Sequence, residues 1–106
     1  MVGEAKVVLD LGDMGKVEIC GNDYEVWVPD SKLGCFVYSG VFDTLTEALL
    51  ELKRICLREY LKRYGGGLIS GSRVLKEKLE EFENWWKKNV DIENLLDIVD
   101  RIENEV

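Results

Sequence analysis

The chain has no histidine, a single proline (Pro29) and three cysteines. Without histidine there is no Ser-His or Cys-His nucleophile pair, no histidine general base and no histidine-ligated zinc. Cys20, Cys35 and Cys56 sit inside apolar patterns, lack C-x-x-C spacing and are odd in number. Together with the lack of a charged-then-apolar leader, this points to buried thiols in a reducing cytoplasm, with one disulfide among the three as the alternative. No window approaches the eighteen consecutive apolar residues of a membrane-spanning helix. Carboxylate-only chemistry survives these exclusions. Asp10, Glu18 and Glu25 fall on solvent-facing strand positions, as the carboxylates of metal nucleases do, but such alternation is more often a solvated sheet face. No catalytic residue, metal or cofactor is therefore expected, and the chain reads as a non-enzyme.

What the chain does have is acid. Its 106 residues carry 14 basic and 21 acidic groups, a net charge of −7. A protein of this sign repels nucleic acid and favours solubility or a basic partner. The charge is uneven: residues 1–50 hold 3 basic and 9 acidic groups, whereas residues 51–64 hold 5 basic and 2 acidic. Lys53, Arg54, Arg58, Lys62 and Arg63 make that segment a basic island, which is either the wet face of an amphipathic helix or a nucleic-acid contact. The wet face is the expected outcome.

Hydrophobic periodicity gives the fold class. EAKVVLDL alternates, placing Val7, Leu9 and Leu11 on one face; KVEIC, YEVWV and CFVYSGV follow as further strands. GDMG and GND supply tight turns between them, and Pro29 closes the third strand. The period then changes. Thr44-Leu45-Thr46-Glu47 fits a capping box, and Leu45, Leu49, Leu52, Cys56 and Tyr60 recur at helical spacing up to about Tyr64, where three glycines end the helix. Residues 65–72 read as a Gly-rich connector. Two more helices follow, one with a stripe of Val74, Leu75, Leu79, Phe82 and Trp86, the other capped by Asp91 with Ile92, Leu95, Leu96, Val99 and Ile102. The predicted fold is one α+β domain over residues 1–106: an antiparallel meander of three to four strands, a long helix, and a helical extension over 73–106.

Three tryptophans stand out. Trp27 falls on the outer sheet face, and Trp85 and Trp86, about 100° apart on one helix, cannot both face the core squarely. All three are candidate interface residues, since aromatics are favoured there. A chain of this size gains core by self-association, so a homo-oligomer is expected.

In the stretch from Val28 to Leu52, Val28-Pro29-Asp30, Gly34-Cys35, Ser39-Gly40, Asp43-Thr44-Leu45 and Glu47-Ala48 follow one another in order. This order resembles the V-P-D, G-C, S-G-D-T and L-x-E-A elements of the HicB-like antitoxin family. The resemblance covers about residues 23–61. It departs from the family at the longer Ser31-Lys32-Leu33 loop and at Val41-Phe42, which stand between Ser39-Gly40 and Asp43-Thr44. The resemblance implies a partial ribonuclease-H-like fold, self-association, and binding to a small basic RNA-cleaving toxin. It also brings in the DNA-binding tail many members append, but residues 65–106 are acidic and show no basic recognition helix. The alternatives are an orphan, viral or mobile-element structural protein that self-associates, and a nucleic-acid binder using the basic helix 52–64.

Overall fold

The computed structural model describes residues 5–30, 32–64 and 72–104. Four strands, β1 (Lys6–Asp10), β2 (Lys16–Cys20), β3 (Asp23–Asp30) and β4 (Cys35–Phe42), pair antiparallel in the order β1-β2-β3-β4. A single 3-10 turn, Gly12–Met14, joins β1 to β2. Three helices follow: α1 (Leu45–Tyr64), α2 (Ser72–Asn89) and α3 (Ile92–Asn104). This is the α+β order that the change of hydrophobic period predicts. Of the connector read over 65–72, residues 65–71 lie outside the described residues and Ser72 is the first residue of α2.

Local chemistry explains the turns and caps. Gly21 takes φ +63° in the two-residue turn between Cys20 and its partner Asp23. Asp30 closes the β3–β4 loop, its carboxylate accepting the Lys32 and Leu33 amides at 2.8 and 3.2 Å. At the start of α1 the Thr44 hydroxyl accepts the Glu47 amide at 3.2 Å, as a cap should, and donates to the Glu47 carboxylate. Asp91 caps α3 by accepting the Asn94 amide at 3.3 Å.

The core lies between the inner sheet face and α1, with α2 packed on α1 and α3 against β1. Val17, Val26, Leu52 and Cys56 are fully buried, and Phe82 brings α2 into the same cluster. Burying a side chain of this kind contributes about 1.5–3 kcal/mol. The 3-10 turn is clamped to α1. Gly15 sits at φ +123°, and a Cβ there would fall 2.7 Å from the Leu52 side chain and 3.0 Å from the Trp27 carbonyl. The Cys56 thiol donates to the Met14 carbonyl at 3.2 Å, and burial pushes its pKa up to about 12, with Glu59 adding to the rise.

Three sequence expectations are corrected. In β1 the register jumps from Val7↔Glu18 to Leu9↔Val17, so Val8 forms a bulge and is buried beside Leu9, while Val7 is 48 % exposed. Pro29 does not end its strand: β3 continues to Asp30, with Pro29 opposite Phe36. Beyond Trp27 the strand is paired with β4 alone, so a residue with no N–H is tolerated on the other side. Finally, all three cysteines are free thiols but only Cys56 is buried; Cys20 is half-buried and Cys35, first residue of an edge strand, is exposed.

Candidate interaction surface

Alternation sends Lys16, Glu18, Glu25, Trp27, Phe36, Tyr38 and Val41 to the sheet face turned away from the helices. Pairing register brings the aromatic members together. Trp27 stands opposite Lys16 on one side and Tyr38 on the other. The Trp27 and Tyr38 rings meet edge to face with centroids 5.5 Å apart. The Lys16 ammonium lies 4.7 Å from the Phe36 ring centroid and pairs with Glu18 at 3.0 Å. A cation over an exposed ring stabilises by about 0.5–1 kcal/mol. The result is an aromatic strip across β3 and β4 in which Phe36, Tyr38 and Val41 remain 37 %, 51 % and 43 % exposed. The Trp27 indole N–H is shielded from solvent and has no acceptor within the described chain.

A cleft of about 920 Å³ opens where the β3–β4 loop and the 3-10 turn face the C-terminal half of α1. Val28, Val37 and Ile55 line it together with Asp13, Glu59 and Arg63. Arg63 spans the last two, 2.9 Å from each carboxylate; the Glu59 hydrogen bond, then that of Asp13, holds its guanidinium pKa above the usual value. This side of the cleft is thus an internally neutralised ion network.

The other candidate residues are placed as follows. Trp86 is buried, and Trp85 is half-buried beside Tyr60 and Phe82, with centroid distances of 6.4 and 5.7 Å. Both tryptophans therefore belong to the seam between α1 and α2. On the basic helix, Lys53 holds Glu83 at 2.9 Å and lies 5.9 Å from the Trp86 ring centroid, while Arg54 pairs with Glu51. With Arg63 engaged as above, only Arg58 and Lys62 of the five project without an ion-pair partner among the described residues. Glu18 and Glu25 do stand opposite each other on β2 and β3, but Asp10 instead turns back to accept the Gly12 amide at 2.8 Å. Among the described residues no group of three ligating side chains could hold a metal ion, and no helix is long and apolar enough to cross a membrane.

Sequence reasoning singled out Trp27 but missed Phe36, Tyr38 and Val41. The available signal was the run from Leu33 to Phe42, ten residues without a charge in a chain where a third are charged. No protein-family model, curated protein or solved structure matches this chain.

Proposed function

We propose that this protein is a non-enzymatic interaction module that self-associates and binds a protein partner. The observation that carries this reading is the outer aromatic strip: large apolar side chains gathered by strand register on the sheet face opposite the helices. Apolar groups clustered at a surface, rather than scattered, mark a contact site.

The sharper form is a HicB-like antitoxin. It rests on the ordered resemblance from Val28-Pro29-Asp30 to Glu47-Ala48, which runs from the end of β3 into α1. The acidic N-terminal half would complement a small basic RNA-cleaving toxin. The alternative, a structural protein that self-associates without such a partner, draws on the same aromatic strip. Nucleic-acid binding by helix 52–64 is disfavoured, because Lys53, Arg54 and Arg63 already hold carboxylates.

The deciding experiment is co-expression with the product of the adjacent reading frame. A stoichiometric complex with a small basic protein, and arrest of its RNA cleavage on adding this chain, is the expected result. Uninhibited cleavage and no complex would remove the antitoxin form and leave the structural one.

A further inference from the structure

The sheet has two edges, and they are not alike. β1 is short, five residues; it carries Lys6 and Asp10, is bulged at Val8, and has α3 packed against it. Charge, brevity and bulges are the means by which natural sheets block edge-to-edge pairing. β4 lacks the first two. It runs eight residues, Cys35–Phe42, with no charged residue and no proline, and its one irregularity is a bulge at Ser39, which falls between the partners of Val26 and Trp27. Among the described residues no strand pairs with its other side.

The occupant can be read from the strand itself. A basic partner would find no counter-charge along β4. What fits is another uncharged strand, and of the four strands among the described residues β4 alone has no charge: β1 carries Lys6 and Asp10, β2 Lys16 and Glu18, and β3 Asp23, Glu25 and Asp30. An antiparallel edge is also complementary to its own copy, because a two-fold axis can set the donors of one copy opposite the acceptors of the other. We infer that two copies of this chain join β4 to β4, antiparallel about a two-fold axis perpendicular to the sheet, giving one continuous eight-stranded sheet.

That axis keeps both outer faces on the same side. The strip of Phe36, Tyr38 and Val41 in one copy then abuts the strip of the other, and aromatic and β-branched residues facing one another across strands stabilise a sheet. Cys35, Phe36 and Val37 border both the edge and the cleft, so the paired strand also runs along the cleft mouth and widens the contact beyond a bare backbone ladder. The inference rests on the self-association reading above and gives it a surface and a symmetry.

The test is the mass of the intact chain by light scattering over a concentration series, with Tyr38→Lys/Val41→Lys and, on a different surface, Leu96→Lys, whose parent side chain is 55 % exposed on α3. The expected result is a dimer for the wild type and Leu96→Lys and a monomer for the double variant. A dimer that survives the double variant but dissociates with Leu96→Lys would overturn β4 pairing and leave self-association standing. A wild type that is monomeric throughout would overturn both. Hydrogen exchange on the unaltered chain guards against misfolding of the double variant. Amides of residues 35–42 should exchange at least tenfold more slowly in concentrated than in dilute protein; exchange there that does not depend on concentration in a chain that does dimerise would overturn the pairing.

Discussion

The two faces of the sheet are made from the same strands by alternate residues, yet they end differently. On the inner face Val17 and Val26 are wholly buried and a turn glycine is pressed against Leu52, so that not even a methyl group could be added. On the outer face the side chains are larger, with Trp27, Phe36 and Tyr38 in one strip, but Trp27 is only half-buried and Phe36 and Tyr38 stay exposed. Apolar content therefore does not by itself make a core. The inner face is closed by elements of its own chain, and the outer face is organised only within the plane of the sheet.

Substitutions can break that contrast or sharpen it. Leu52→Ala should lower stability by about 2–5 kcal/mol in urea unfolding, the usual loss for a buried leucine, while Val41→Ala should stay within about 0.5 kcal/mol in the monomer. Equal losses would mean that the outer face is as structural as the inner. Gly15→Ala should cost about 1–3 kcal/mol, since it imposes a positive φ on a side chain and drives its Cβ into Leu52. Its thermal midpoint is the readout.

A pH series gives the next largest effect. The buried Cys56 thiol ionises near 12 in the folded protein and at its ordinary 9.0 once exposed. Above 9.0 the unfolded chain loses that proton and the folded one keeps it, so stability falls with rising pH across this window. The slope attributable to the thiol is about 1.4 kcal/mol per pH unit. Comparing wild type with Cys56→Ala isolates it, because the variant should lack that component. Thr44→Ala, which removes the α1 cap, should cost about 1 kcal/mol. The smallest change is expected of Trp27→Phe. It keeps the ring contact with Tyr38 and deletes a shielded N–H that has no acceptor, so stability should be unchanged or rise by up to about 1 kcal/mol.

Much of the architecture could be read directly from residue order. The change from two-residue to helical period at Thr44 and the cap residues Thr44 and Asp91 mark the end of the sheet and the starts of α1 and α3 where the structure has them. The misreadings share a cause: alternation assumes an unbroken ladder. The bulge at Val8 puts two neighbouring residues on one side, and Pro29 stays in its strand because β2 has already ended. Helical spacing likewise identifies residues of one stripe without saying how wide a groove receives them. Leu95 and Val99 are buried on α3, while Ile92 and Leu96 from the same stripe are 57 % and 55 % exposed. The outer strip was only partly legible, since pairing Trp27 with Tyr38 depends on a register shift that the sequence does not announce.

The hydrogen bond from Cys56 to Met14 spans 42 residues of chain. The meander can zip up through short turns and local pairs, whose closure entropy is small. Seating α1 is different, because its contacts with the 3-10 turn close a long stretch of chain and can be made only when turn and helix are in place together. The meander and the helix are thereby held to one another at a single point, and a defect at Gly15 should loosen both.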